Sequence, residues 1–308
     1  MKKLMVIIAA GLYTTTLLNA QSEQASKGIR FGLKVTPSVN WLKSGDKMTE
    51  KNGVSMRFGA GLMTEIRLTD VAVISTGLQL DMDGGKVKYK NETNGAPSST
   101  YVGYFYDNEG ETISEYDAVI KEHTSISGYF SPSIEPTTSS EAAETIGNNS
   151  NKYSYYLVNE RTYSNTYITI PLALKLRTKE IGALTYFGMV GVNASFLYTA
   201  KATDNVQKYE GVNPNGTIKW GAEQTISKTK INKDMGFFNA ALNMGAGVEW
   251  NLAGTTSLLF GLNYNMGFTN SAKSESKYLK KQVEGGQNTN LKQSLKTNSV
   301  GLTIGVLF

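Results

Sequence analysis

Few residues of this 308-residue chain have side chains suited to catalysis, since it contains one histidine and no cysteine. The absence of cysteine excludes a thiol nucleophile, a disulfide and a zinc–thiolate site. His123 could act as a general base beside a serine and an acid, an arrangement that small barrel enzymes use to remodel lipids. Its surroundings, Lys-Glu-His-Thr-Ser, match no lipase elbow, phosphate loop or calcium loop. We therefore expect no enzymatic activity, no metal site and no cofactor.

A second group of reactive side chains consists of charges on the small, polar side of the predicted strands. The candidate cluster contains three cations and two carboxylates: Lys34, Arg57, Glu65, Lys175 and Glu249. Opposite charges that face a narrow interior are expected to pair with each other. The pattern therefore predicts a structural ion-pair core, and the alternative is a proton relay or an ion path.

The composition and the first twenty residues indicate an exported protein. Hydrophobic residues make up 40% of the chain, and its net charge of +5 is too small to suggest a nucleic-acid partner. Lys2 and Lys3 precede a short apolar run that ends before Ala20, which predicts a signal peptide over 1–20. No later apolar run is long enough for a membrane-spanning helix. The remaining domain, 21–308, is therefore either soluble after export or a membrane β-barrel.

Alternating hydrophobicity favours the barrel. Between Thr255 and Phe268, apolar residues recur at every second position for about fourteen residues, and Gly, Ser and Asn occupy most of the positions between them. Soluble strands are usually about five or six residues long, whereas a tilted membrane strand needs about 9–11. The same pattern occurs in 236–252 and 299–308. The sequence thus predicts an all-β fold with an apolar surface towards lipid and a polar interior.

Eight segments carry this pattern and predict a closed antiparallel transmembrane barrel of eight strands. Their approximate spans are 29–39, 53–68, 70–89, 162–177, 183–200, 234–252, 254–270 and 295–308. Tight links near 69–70, 178–180 and 253–254 alternate with long loops at about 40–52, 90–161, 201–233 and 271–294. This alternation predicts short periplasmic turns, long extracellular loops and two periplasmic termini. A hairpin over 101–120 would instead make the barrel ten-stranded.

Several strand motifs resemble those of a known family. The motifs are GIRFGLKV, GAGLMTEIRLTDVAVISTGLQL, YITIPLALK at 167–175, MGAGVEWNL at 244–252, GLNYNMGFTN at 261–270 and the final Phe308. Together they are similar to the PorT-like outer-membrane β-barrel family of Bacteroidota. The resemblance implies insertion by the barrel-assembly machinery, with Phe308 as the C-terminal assembly signal. The chain departs from the family in its second long loop, of roughly 70 residues, and at Thr169, where relatives often carry an acid.

The functional expectation is a barrel of the Gram-negative outer membrane with a structural or surface-interaction role, whose loops could contact protein partners. One alternative, from the resemblance alone, is an accessory component of an envelope machine such as type IX secretion. Another is a rim-site enzyme or a narrow channel. The loops differ in charge: 91–160 carries eleven acids and two lysines, whereas 201–233 and 271–296 each carry six lysines and at most three acids. We expect the acidic loop to fold over the basic ones as a lid held by charge attraction.

Overall fold

The structure is a computed structural model and describes residues 28–92, 100–107, 153–212, 218–282 and 288–308. Within these residues the chain forms thirteen β-strands and one 3₁₀ turn, Asn232–Asp234. The strands are β1 (Ile29–Ser44), β2 (Thr49–Lys51), β3 (Ser55–Arg67), β4 (Ala72–Tyr89), β5 (Val102–Asp107), β6 (Tyr153–Arg177), β7 (Leu184–Val212), β8 (Ile218–Lys230), β9 (Phe238–Ala253), β10 (Thr256–Gly267), β11 (Glu275–Gln282), β12 (Asn288–Lys292) and β13 (Leu295–Leu307). Among the described residues, no helix has the length and apolar character needed to cross a membrane.

Eight of these strands pair in a ring. Every neighbouring pair is antiparallel, in the order β1, β3, β4, β6, β7, β9, β10 and β13, and β13 pairs back onto β1. Three tight connections, at 68–71, 178–183 and 254–255, lie at one end of the ring, the turn end. Residues 28 and 308 lie at this end too. The opposite end, where the long connections begin, is the loop end.

Side chains alternate between the two faces of the ring. Leu262 is 63% exposed, whereas the next residue, Asn263, is 7% exposed. Along β13 and the residue after it, the outward side chains are Val300, Leu302, Ile304, Val306 and Phe308, each 38–50% exposed, whereas Leu307 is fully buried. The ring therefore carries a continuous outer apolar belt around an interior of buried side chains, as the alternation in the sequence predicts.

The predicted spans agree closely with the ring strands near the turn end, and at the loop end they fall short for β1, β6 and β7. β6 begins at Tyr153 rather than near 162, and β7 continues to Val212 rather than to about 200. The pairing of β6 with β7 continues beyond the apolar belt as far as Tyr156 and Lys208. Inward-facing apolar residues on these extensions, including Val158 and Val206, are completely buried. Burial in a second core thus explains strands that the search for membrane-length segments missed.

The long connections contain further strands outside the ring. β5 pairs with β6, β11 pairs with both β5 and β12, and β8 pairs with the extension of β7. These strands and the extensions of β6 and β7 form the sheet extension. β5, which begins the hairpin proposed for a ten-stranded barrel, belongs to this extension, and 108–120 lie outside the described residues.

Pro171 interrupts a ladder without shifting its register. Proline lacks a backbone N–H, so a bulge is expected at this position. On both sides of the interruption β4 and β6 keep one register, with Thr76 opposite Leu172 and Gln79 opposite Thr169. The hydroxyl of Thr76 donates to the carbonyl of Pro171 at 2.8 Å. The predicted bulge is therefore wrong, because a side-chain hydrogen bond bridges the gap.

Candidate functional site

The interior of the ring begins at the turn end with a buried charge network. The Nζ of Lys175, on β6, lies 2.5 Å from a carboxylate oxygen of Glu65 on β3 and also donates to Glu249 on β9. All three side chains are at most 2% exposed. Arg30 on β1 donates to the second oxygen of Glu249 at 2.9 Å and lies 3.7 Å from Glu65. The network thus joins four strands of the ring, and its geometry supports a structural role because each carboxylate has cationic partners.

Two members of the sequence-predicted cluster lie elsewhere in the interior. Arg57 donates to the backbone carbonyl of Tyr163 at 2.5 Å and to the hydroxyl of Ser164 at 3.0 Å, near the loop end. Lys34 lines the middle of the interior with Asp81. The structure therefore brings Lys175, Glu65 and Glu249 together and leaves Lys34 and Arg57 apart. Arg30 and Arg177 complete the network, and Arg177 lies 3.6 Å from Glu249.

An apolar layer packs beside the charge network. It contains four inward-facing residues: Met63, Phe187, Leu259 and Leu307, each at most 7% exposed. The Nζ of Lys175 lies 4.2 Å from the ring centroid of Phe187, a cation–π distance. Leu259 is the one apolar residue on the polar phase of its strand, and this layer explains the exception. Large apolar side chains therefore pack against one side of the ion pairs.

The middle of the interior is polar and nearly filled. Asn265 accepts from Asn193 at 3.0 Å and from Asn243 at 2.7 Å, and it donates to Ser299 at 3.1 Å. Across the interior, Asn40 donates to Asp83 at 2.7 Å. The remaining space among these groups is about 100 Å³, enough for a few water molecules. These asparagines belong to the polar, inward-facing side of the strands that the sequence predicts.

The loop end is closed by an apolar core, here called the cap. Its members come from ring strands and from the sheet extension, and nearly all are less than 5% exposed: Leu42, Val87, Tyr89, Val102, Tyr104, Val158, Tyr163, Ala200, Ala202, Val206, Ile231, Met235, Ala272, Tyr278, Leu279, Leu291 and Leu295. Residues from all four long connections contribute to this core or pack against it. The cap therefore covers the interior with side chains that the sequence assigns to separate loops.

A buried ion pair lies in the cap. Arg161 on β6 and Asp204 on β7 form two hydrogen bonds of 2.7 and 2.8 Å, and each side chain is 1% exposed. Burial opposes the charge on Arg161, but the Asp204 carboxylate more than offsets it, so the pKa of Arg161 lies well above its ordinary value. The pair also faces the rings of Tyr104 and Tyr163, at 5.9 and 5.8 Å. Sequence reasoning missed it because both residues fall in or beside predicted loops, and only pairing of β6 with β7 brings them together.

Two other predicted residues have different outcomes. Phe308 is 50% exposed on the outer face, and its backbone exchanges two hydrogen bonds with Phe31 at the point where the ring closes on β1. His123 lies outside the described residues, as do the signal peptide and most of the acidic loop. No group of three or more acidic or histidine side chains in the described part could hold a metal ion.

Comparisons with known proteins give several similar solved structures and one matching sequence family. Solved structures similar to this chain include Neisserial surface protein A, at 10% identity over 91% of this chain and 98% of that one, with a TM-score of 0.34. Ail, the attachment invasion locus protein of Yersinia pestis, matches at 9% identity over 91% and 99%, with a TM-score of 0.31. OprG from Pseudomonas aeruginosa matches at 9% identity over 91% and 94%, with a TM-score of 0.32.

In sequence, the chain matches a protein family but no individual curated protein. No curated protein matches the chain. The sequence model of the outer membrane protein beta-barrel domain family matches residues 19–273, most of the chain. The ring, its outer apolar belt and its polar interior are the features expected of such a domain. The chain belongs to the outer membrane protein beta-barrel domain family.

Proposed function

We propose that this outer-membrane protein is a closed eight-stranded barrel with a surface-interaction role, which lets no solute pass and presents its sheet extension outside the cell. The observation that carries the proposal is the double closure of the interior. At the turn end, Lys175, Glu65, Glu249 and Arg30 form a network that joins four strands across the interior, and at the loop end the cap packs over it. Eight strands enclose a space only about wide enough for their own side chains. A wide diffusion pore has no room in this arrangement.

The orientation is part of the proposal. Tight turns at one end and long connections at the other are typical of barrels whose turns and termini are periplasmic. The cap and the sheet extension would then face the outside, where loops commonly carry binding functions. The barrel-assembly machinery would insert the chain, with Phe308 as the assembly signal. We also propose that the chain belongs to the PorT-like family of Bacteroidota, because the strand motifs quoted above lie in β6, β9 and β10. The secretion and rim-enzyme alternatives are not favoured by the comparisons.

Conductance of the purified protein in planar lipid bilayers tests the closed interior. We expect no stable conductance steps from inserted protein, since both ends are filled. A porin inserted under the same conditions provides the positive control. Reproducible steps from the folded, heat-modifiable protein would contradict the closed barrel.

Labelling of intact cells tests the orientation. We expect an epitope tag inserted at 213–217, between β7 and β8, to bind antibody in unbroken cells. A matched tag between Lys179 and Glu180, in a tight connection at the turn end, should bind only after the outer membrane is permeabilised. The reverse result would place the sheet extension in the periplasm.

Loss of Phe308 tests its role in assembly. We expect Phe308→Ser to lower the amount of inserted protein severalfold in cells while leaving refolding of the purified chain into detergent largely unchanged. Phe268→Ser is the matched control, because Phe268 is also 50% exposed on the outer face but lies at the loop end. Equal loss from both substitutions would show that Phe308 acts only as one of several lipid-facing aromatic residues and not as an assembly signal.

A further inference from the structure

The outer surface of β1 and β13 carries an unusual group of charges just above the apolar belt. Val39 and Val300 are 37% and 44% exposed and are cross-strand partners in the belt. Four residues further along the same faces towards the loop end, Lys43 and Lys296 are again direct cross-strand partners, and both are exposed. Directly opposed like charges on one face of a sheet are unfavourable. A bound anion would offset this repulsion.

Aromatic rings lie between the belt and these lysines. Trp41 is on the outward phase between Val39 and Lys43, and its ring stacks against Tyr264 of β10 with centroids 6.4 Å apart. Tryptophan and tyrosine are enriched where lipid headgroups meet the hydrocarbon core. The rings therefore mark the headgroup level, and Lys43 and Lys296 lie directly on its outer side.

A third lysine approaches the same place. The Nζ of Lys51, from β2, lies 5.4 Å from the ring centroid of Trp41. A surface depression of about 340 Å³ opens beside it, lined by Trp41, Lys43, Glu50 and Lys51. Glu50 has its own cation, since its carboxylate lies 2.8 Å from Lys90. Within the described part of the chain, Lys43, Lys51 and Lys296 have no carboxylate partner within ion-pair distance.

We propose that Trp41, Lys43, Lys51, Tyr264 and Lys296, the rim patch, bind the phosphate group of an outer-leaflet glycolipid. The lysines would pair with phosphate oxygens, and the two aromatic rings would contact the sugar and the first methylenes of the acyl chains. A lipid fits better than a soluble anion because the patch adjoins the apolar belt with no gap. The proposal rests on the orientation given under the proposed function, which places the loop end at the outer leaflet.

Binding is measurable through the tryptophan of the patch. The chain has three tryptophans, Trp41, Trp220 and Trp250, so Trp220→Phe with Trp250→Phe leaves Trp41 as the single reporter. The probe is bisphosphorylated lipid A, titrated into the full-length protein in neutral detergent, with dephosphorylated lipid A and inorganic phosphate in parallel titrations. We expect saturable binding of the bisphosphorylated lipid. Dephosphorylated lipid A should bind at least about tenfold more weakly, since each lysine near an anionic headgroup contributes about fivefold. Inorganic phosphate should also bind at least about tenfold more weakly, since it lacks the sugar and acyl contacts with the aromatic rings.

Substitutions locate the site. The variant K43Q/K51Q/K296Q should bind bisphosphorylated lipid A at least about tenfold more weakly than the parent. The matched control K208Q/K228Q/K230Q removes three exposed lysines of the sheet extension and should leave the affinity unchanged. Equal loss in both variants would show diffuse charge attraction and overturn the site.

Comparison of the three probes on the parent protein needs no lysine variant, so it stands even if the rim variant fails to fold. Equal affinity for both lipids, equal affinity for inorganic phosphate, or no saturable signal would each overturn the proposal. Because binding in detergent requires neither a closed interior nor a particular orientation in cells, failure here is distinguishable from failure of the proposed function.

Discussion

At the scale of single residues, the centre of the turn-end network is Lys175, which compensates two buried carboxylates. Lys175→Met would leave Glu65 and Glu249 with only Arg30 and the more distant Arg177. Removal of one partner from a buried ion network costs about 3–5 kcal/mol because the remaining charge stays desolvated. We expect a loss of this size in the free energy of unfolding, measured by urea titration of the protein in lipid vesicles.

The matched control for Lys175 is an exposed pair at the same end. Arg67 and Asp70 are bonded at 2.9 Å but are 45% and 90% exposed, so Arg67→Ala should cost at most about 1 kcal/mol. The triple variant K175M/E65Q/E249Q should recover most of the loss, since it leaves no unpaired carboxylate. If Lys175→Met, Arg67→Ala and the triple variant all unfold at the same urea concentration as the unsubstituted protein, the network contributes nothing to stability.

Glycine on the inner face is the second residue-scale feature, and Gly247 shows why it is needed. A Cβ at this position would lie 2.1 Å from the carbonyl oxygen of Phe260 and 2.7 Å from the ring of Phe187. Overpacking of this kind costs about 1–3 kcal/mol. We expect Gly247→Ala to lower the free energy of unfolding by this amount.

Gly188 is the control for Gly247. It lies on the exposed outer phase of β7, and a Cβ there would meet nothing within 4 Å. Gly188→Ala should therefore fold with unchanged or slightly greater stability, because alanine lowers the conformational entropy of the unfolded chain. Similar destabilisation by both alanines would argue against crowding by Phe187 as the cause.

At the scale of the strand, the penalty for a charge should depend on its depth in the belt. Leu262 lies in the middle of β10 and is 63% exposed on the outer face, whereas Phe268 follows the same strand at the loop end. An arginine costs about 2–4 kcal/mol at the membrane midplane and about 0–1 kcal/mol near the interface. We expect Leu262→Arg to show the larger loss and Phe268→Arg the smaller, by urea unfolding in vesicles. Equal losses would mean that the belt is misplaced along the strands.

The position of a strand relative to the membrane also explains which strands the sequence predicts correctly. Ring strands such as β10 and β13 are readable because lipid outside and polar groups inside impose a strict period of two. The extensions of β6 and β7 face water on one side and a small core on the other. Polar residues such as Asn159 and Lys208 therefore interrupt the alternation of apolar and polar side chains. Short strands such as β5 carry too few residues for any period to emerge. The cap and the Arg161–Asp204 pair depend on contacts between distant segments, which a single sequence does not display.

At the scale of the whole molecule, the sheet extension joins loops that differ in charge, but through backbone pairing. β5 belongs to the acidic loop and β11 to a basic one, and they meet with Val102 opposite Lys281 and Gly103 opposite Lys280. Val102 and Leu279 are both completely buried in the cap. Apolar burial in the cap therefore accompanies the backbone pairing of these two loops. Most of the acidic loop, on which the expected lid depends, lies outside the described residues.

This assembly predicts protection that does not depend on salt. We expect the amide hydrogens of 102–104 and 279–281 to exchange equally slowly at about 0.05 M and about 1 M salt, because screening weakens exposed ion pairs but not buried apolar contacts. Leu279→Ala removes a fully buried side chain from the cap and should speed exchange in both strands, at a cost of about 2–5 kcal/mol. Lys277→Ala, exposed on the same strand, is the control and should leave both segments protected. Hydrogen exchange followed by mass spectrometry on the full chain in detergent measures all three proteins. Faster exchange at high salt in the unsubstituted chain would show instead that charge attraction holds the loops together.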